Sequence, residues 1–237
     1  MRKGAGRRVP ERKQGMTASR DAGIIVMGGS FDPIHLGHLI VAERAAELLR
    51  ARGVIFIPCN IPPHKPATEL APGRHRLRMV ELAIRGNRGF RADDIELRRG
   101  GVSYTVETIE ALRARRGPRA KIWLLIGADS LLELPTWRDY RRILSLCTVV
   151  TAGRPGTEIG ARVGRGPVRG VDPARPAARI LDTPRIDISS TEIRRRRREG
   201  LSIRYMVPRA VERYISSRGL YRGSACRGRA RCRACGY

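Results

Sequence analysis

Gly23-Ile-Ile-Val-Met-Gly-Gly-Ser-Phe-Asp-Pro-Ile-His-Leu-Gly-His38 is the stretch that decides the fold. Its first part is a short apolar run that ends on a glycine pair, the pattern of a buried strand entering a tight turn. Beyond it, Leu39, Ile40, Ala42, Ala46, Leu48 and Leu49 alternate with Glu43, Arg44 and Glu47 at helical spacing, which predicts a helix over about 37–51. Val54-Ile-Phe-Ile-Pro58 is a second buried strand. Strand, helix and strand in this order form a right-handed crossover with parallel pairing.

The alternation continues along the chain. A proline-rich loop over 60–72 precedes a helix at about 74–84, a strand near 90–97 and a helix at about 104–115. Core strands follow at 121–126 and 146–151, then a Gly, Pro and Arg-rich loop over 153–179 and a last strand at Ile180-Leu-Asp182. Helices near 190–199 and 208–217 come next, and Tyr221 closes the fold. The expectation is an α/β protein with a doubly wound, Rossmann-like parallel sheet, whose ligand crevice lies at the carboxyl ends of the strands. It forms a single domain over 23–222, between a flexible basic extension at 1–22 and a basic, cysteine-containing tail at 223–237.

The length of 237 residues suits one domain with a sizeable core. Hydrophobic content is ordinary at 41%, but 48 Lys and Arg stand against 22 Asp and Glu, a net charge of +26. The apolar clusters exclude a collagen, a coiled coil or a wholly disordered chain. Only Lys3, Lys13, Lys65 and Lys121 are lysines, so the arginine excess reflects a coding bias as readily as a function. Residues 1–22 carry seven basic and two acidic groups, residues 223–237 carry four basic and no acidic ones, and the body between them is still basic. Anionic partners are favoured, the phosphates of a small molecule or of a nucleic acid. No run approaches the ~18 apolar residues of a membrane span, and Ile24 to Met27 is too short for a secretion signal. No membrane partner and a cytoplasmic location are expected.

Cys59 and Cys147 stand in apolar contexts, and Cys226, Cys232 and Cys235 in the tail. An odd count without a secretion signal argues against a disulfide framework. Cys232-Arg-Ala-Cys235 has the spacing of a zinc knuckle, yet the tail falls one ligand short of the four a structural site needs, so no metal site is expected.

The densest chemical signal is Gly28 to His38. Its glycines let backbone amides approach an anion, and the helix after them presents N–H groups and a positive dipole end. His35 and His38 are three apart, so both rings can face one phosphate there. Lys65, a compact ammonium beside His64, suits a polyphosphate. Ser103-Tyr104-Thr105 opens a helix whose first amides can hold a carboxylate or phosphate, although the same residues make an ordinary cap. Asp129, after Gly127 and Ala128, sits past the carboxyl end of a core strand. Trp137 is a core aromatic or a stacking platform. In Ile188-Ser-Ser-Thr-Glu-Ile-Arg194 a serine caps a helix whose first turn carries a basic residue.

Gly28-Gly-Ser-Phe-Asp-Pro-Ile-His-Leu-Gly-His38 resembles the HxGH signature of the nucleotidyltransferase superfamily. Pro62-Pro-His-Lys-Pro66, Ser103-Tyr-Thr-Val-Glu-Thr108, Ile126-Gly-Ala-Asp-Ser130 with Leu134-Pro-Thr-Trp137, and Ile188 to Arg194 are similar, in this order, to the bacterial nicotinate-nucleotide adenylyltransferases. The likeness runs from about Ile24 to Tyr221. It implies adenylyl transfer from ATP to nicotinate mononucleotide, with Mg²⁺ accompanying the ATP and no dedicated metal cage in the protein. It also implies an ATP site at Gly28, Gly29, Ser30, Phe31, His35, His38, Gly127, Asp129, Ile188, Ser189, Ser190 and Arg194. His35, His38, Lys65 and Arg194 then carry the charge stabilisation. His64, Tyr104, Thr105, Asp129 and Trp137 hold the mononucleotide, the tryptophan stacking on the pyridine ring. Of the run Arg194 to Arg198, only Arg194 matches the motif.

The alternatives are an adenylyltransferase for nicotinamide mononucleotide or another phosphate acceptor, and a basic nucleic-acid-binding protein. Phosphopantetheine has no ring for Trp137 to stack on. Nucleic acid is disfavoured because no RNP, zinc-finger or helix-turn-helix pattern is present and the ends lack aromatics before Tyr237.

Overall fold

Continuous apolar runs become the centre of a parallel sheet, because helices cover both of its faces. The computed structural model describes residues 22–63, 70–153, 178–184 and 186–223. Its six strands are β1 Ile24–Gly29, β2 Val54–Pro58, β3 Phe90–Ala92, β4 Ile122–Ile126, β5 Thr148–Gly153 and β6 Ala178–Asp182. They lie in the order β3-β2-β1-β4-β5-β6, and every pairing is parallel. The chain builds outward from β1 to one edge, then crosses back to the other side of β1 with β4. That reversal places the crevice between the carboxyl ends of β1 and β4.

Eight α-helices are described: α1 Leu36–Leu49, α2 Gly73–Ala83, α3 Ile95–Arg99, α4 Thr105–Arg116, α5 Ala128–Glu133, α6 Tyr140–Leu146, α7 Ser190–Arg198 and α8 Arg209–Ser217. Ala42 and Ala45 of α1, Met79 and Val80 of α2, Ile193 of α7, and Val211 and Ile215 of α8 share one core with Ile25, Phe56 and Leu125 of the sheet. Ile95, Ile109, Leu131 and Ile143 of α3 to α6 share the other with Val26, Ile55, Ile57, Leu124 and Ile126. Neighbouring strand residues thus feed opposite cores, as the two-residue period of a strand requires. Among the described residues no helix is long and apolar enough to cross a membrane.

The expected doubly wound sheet and its five long helices are present, with local differences. The strand anticipated at 90–97 stops at Ala92. Asp93 N still bonds Phe56 O at 3.0 Å, but its carboxylate accepts from Ile95 N at 3.0 Å and turns the chain into α3. Residues between 127 and 146, which carry too short a period to read, form α5, a 3₁₀ turn at Leu134–Thr136, and α6. The last strand begins at Ala178 rather than Ile180. The extension at 1–21, the tail at 224–237 with its three cysteines, and residues 154–177 lie outside the described residues.

Candidate active site

Gly28 and Gly29 end β1 beside the crevice. A Cβ on Gly28 would meet nothing within 4 Å, so the backbone there borders open space, whereas one on Gly29 would stand 3.4 Å from the Phe31 ring. Phe31 turns inward with φ +46 and is 2% exposed, packed on Phe56. Its side chain is therefore core, and only its backbone is left to meet a nucleotide.

Asp32 follows, fully buried beneath the loop. Its Oδ1 accepts from Tyr221 Oη at 2.6 Å and from Ala71 N at 3.3 Å. Burial and the adjacent carboxylate push the Tyr221 phenol up, so its proton stays in place to be donated. Arg194 Nη1 donates to Asp32 O at 2.8 Å and lies 3.8 Å from Oδ2, an oxygen with no hydrogen-bond partner among the described residues. Ser189 caps α7 by accepting from Glu192 N at 3.1 Å, as its position suggested, and Ser190 Oγ donates to Pro33 O at 2.8 Å. Helix α7 is thereby docked on the loop, which brings Arg194 to it from a distant part of the chain.

His35 is the N-cap of α1 and His38 stands in its first turn. Their rings stack at 3.7 Å with 29° between planes, and His35 N donates to His38 Nδ1 at 3.2 Å. Gly37 makes room for this, since a Cβ there would stand 3.1 Å from His35 Nδ1. Burial pulls His35 down to about 4, and burial with the neighbouring His35 pulls His38 down to about 3. Both rings are neutral at pH 7, each with one N–H to donate. His35 Nδ1 is buried without a hydrogen-bond partner among the described residues. The amides of α1 are less open than its sequence suggests, because Leu36 N already donates to Met206 O at 2.9 Å.

A cavity of about 550 Å³ opens beside this loop at the β1–β4 junction. That volume is ordinary for a small-molecule site. Gly28, Gly29 and Ser30 line it, and so do Tyr104, Thr105 and Trp137. Tyr104 is the N-cap of α4. Ser103 N is already bonded to Ile61 O at 2.8 Å, and Ser103 Oγ accepts from Asn60 N at 2.8 Å, which fixes the entry to that helix. Trp137 is half-buried, packed on the second core while one side lines the cavity, so it serves as core aromatic and wall together.

Not every anticipated residue joins this arrangement. Asp129 is exposed in the first turn of α5, and Gly127, Asp129, Phe31, His35, His38, Ser189, Ser190 and Arg194 are not among the residues that line the cavity. Ile188 packs against the first core. His64 and Lys65 lie outside the described residues.

The structure also adds residues. Arg76 of α2, 2% exposed, donates to Ser30 O at 2.9 Å, Cys59 O at 2.6 Å, Asn60 O at 3.1 Å and Ala71 O at 2.8 Å, tying together the loops after β1 and β2. Glu96 is buried in the cavity wall, accepts from Thr108 Oγ1 at 2.6 Å, and is pushed up by burial. Arg138 lines the cavity beside Trp137. Nothing local marks Arg76 out among so many arginines, whereas Asp32 was visible inside the glycine-histidine motif.

The sequence profile of the cytidylyltransferase-like family matches residues 26–196. A relative from Yersinia pestis (strain Pestoides F), named a probable nicotinate-nucleotide adenylyltransferase, is 42% identical over 211 residues, covering 84% of this chain and 94% of its own. One of the same name from Thermomicrobium roseum is 43% identical over 199 residues, covering 83% and 90%. The fold is similar to that of Plasmodium falciparum nicotinic acid mononucleotide adenylyltransferase complexed with NaAD, with a TM-score of 0.68 at 18% identity over 84% of this chain and 97% of that one.

Proposed function

The chain belongs to the cytidylyltransferase-like family and, within it, to the nicotinate-nucleotide adenylyltransferases, and on that premise we propose that it joins ATP and nicotinate mononucleotide into nicotinate adenine dinucleotide and pyrophosphate, a step toward NAD. The observation that carries the reading is one cavity walled by Gly28, Gly29 and Ser30 on the phosphate side and by Tyr104, Thr105 and Trp137 on the ring side. Both substrates are cytoplasmic metabolites, and the proposal places the protein there.

In this mechanism an oxygen of the acceptor phosphate forms a bond to the α-phosphorus as the bond from the α-phosphorus to the oxygen that bridges it to the β-phosphorus breaks. Pyrophosphate leaves on the far side with that electron pair, and no covalent enzyme intermediate forms. Catalysis is positioning plus stabilisation of spreading negative charge. The Gly28 and Gly29 backbone admits the phosphates, the N–H groups of His35 and His38 donate to them, and Arg194 supplies a fixed cation. Asp32 and Ser190 support that cation and its helix from behind. Lys65 and His64 belong to the same role by sequence. Among the described residues no three His, Cys, Asp or Glu side chains form a metal cage. Mg²⁺ accompanying the ATP would be held chiefly by the triphosphate, neutralising part of its charge.

Product chromatography after mixing the protein with ATP, Mg²⁺ and each pyridine mononucleotide tests the reading. At least a tenfold higher kcat/KM is expected for nicotinate than for nicotinamide mononucleotide. A charge-assisted hydrogen bond contributes about 1.5 to 3 kcal/mol against roughly 1 for a neutral one, the amide form's NH₂ also points a donor at donors, and about 1.4 kcal/mol is one decade. Equal turnover of the amide refutes acid specificity. Trp137→Ala should weaken both substrates and leave their ratio nearly unchanged, because stacking does not read the carboxylate.

The described motifs lie inside 22–222, so a chain trimmed to those residues is expected to keep full activity. Loss of turnover on trimming would assign the ends a role in the reaction.

A further inference from the structure

Arg138 is the one cation among the described residues that line the cavity, and it stands next to Trp137 at the ring end. Its guanidinium lies 4.5 Å over the Tyr104 ring, the residue that opens α4 in the same wall. Nη1 reaches Glu107 Oε1 at 3.2 Å. Glu107 has a second partner, since Arg99 Nε lies 3.4 Å from its other oxygen.

We infer that Arg138 reads the charge on the pyridine ring, exchanging Glu107 for the substrate carboxylate when the mononucleotide enters. The inference rests on the proposed use of this cavity for nicotinate mononucleotide and deepens it by naming a side chain for the discrimination. Three features support the exchange. The flat guanidinium has five donors, so it can change partner while the Tyr104 face keeps its position. Glu107 stays paired to Arg99 when Arg138 leaves, so no carboxylate is abandoned. Of the two acids in the wall, Glu96 is engaged by Thr108 and Glu133 is exposed to solvent, and Arg138 is the one described lining residue whose charge attracts a carboxylate. A nicotinamide ring offers only a neutral carbonyl, whereas a carboxylate adds a full opposite charge and can take two parallel guanidinium bonds.

The test is kcat/KM of wild type and Arg138→Met for both mononucleotides, with the inhibition constant of the amide form where its turnover is too slow to follow. In the variant, the value for nicotinate mononucleotide should fall about tenfold while that for the amide stays within about threefold, collapsing the ratio toward one. The amide substrate is the internal control for folding, because a variant that is merely damaged loses both. An unchanged ratio in a variant that still makes the dinucleotide overturns the inference and leaves the discrimination to the Tyr104 and Thr105 amides. An equal loss on both substrates also overturns it, since Arg138 would then act only as wall. If wild type forms a dinucleotide from neither mononucleotide, the functional reading itself fails and takes this one with it.

Discussion

His38→Ala is expected to lower kcat by about 10² or more in a protein that stays folded, the loss of one preorganised donor being worth roughly 3 kcal/mol at a developing charge. The imidazole is a strong candidate because it is held on several sides. Its ring stacks on His35, its Nδ1 accepts from His35 N, and Phe31 meets it edge-on at 5.2 Å. The Nδ1 bond leaves the N–H on Nε2, the nitrogen free to address a phosphate. Steady-state rates at saturating substrates, with a thermal melt beside them, check this. Turnover near the wild-type value in folded His38→Ala would remove the residue from catalysis.

The same variant has a signature in acid. Both histidines are held below their ordinary 6.5 in the fold, at about 4 and about 3, so below pH 6.5 the unfolded chain binds protons that the folded one refuses. Their contribution to stability is present above 6.5 and is lost as pH falls from there toward 3. His38→Ala should accordingly lose less stability than wild type over that window, as urea midpoints at successive pH values would show. An unchanged acid slope would mean that His38 is not desolvated.

Arg76→Met is expected to destabilise the protein by about 3 kcal/mol, which for a domain of this size is roughly 6–12 °C in Tm. Methionine keeps most of the buried volume but donates nothing, so the carbonyls of Ser30, Cys59, Asn60 and Ala71 all lose a partner. Ser30 and Cys59 both line the cavity, so activity should fall with stability even below the melting point. A Tm within 2 °C of wild type, roughly the scale of half a kcal/mol, would show that the loops hold themselves.

The frame of the protein was legible in its sequence because the physics that makes it is local. β2 and β4 are apolar at every position, which only a sheet covered on both faces tolerates, and α1 carries a helical period over 14 residues. The glycine pair, the two histidines and the Ser189 cap announce a tight turn and two helix starts within a few residues of themselves. What was hidden is what depends on distance. Helices α5 and α6 have 6 and 7 residues, under two turns each, too few to establish a period. The stop of β3 at Ala92 depends on a side-chain turn at Asp93 that no alternation records. Arg76 differs from the arginines around it only by what tertiary packing closes over it. Trp137 could be read as core or as ligand wall, and the fold uses it as both.

The bond from Tyr221 to Asp32 joins positions 189 residues apart. A domain folds as a unit, and a contact of such separation can form only once nearly the whole domain has been synthesised. The glycine-histidine loop, made early, therefore waits for a residue translated near the close of the domain before its buried carboxylate is satisfied. Until Tyr221 has been synthesised, Asp32 lacks the hydroxyl that donates to it, so a change at the far end of the domain reaches the loop after β1.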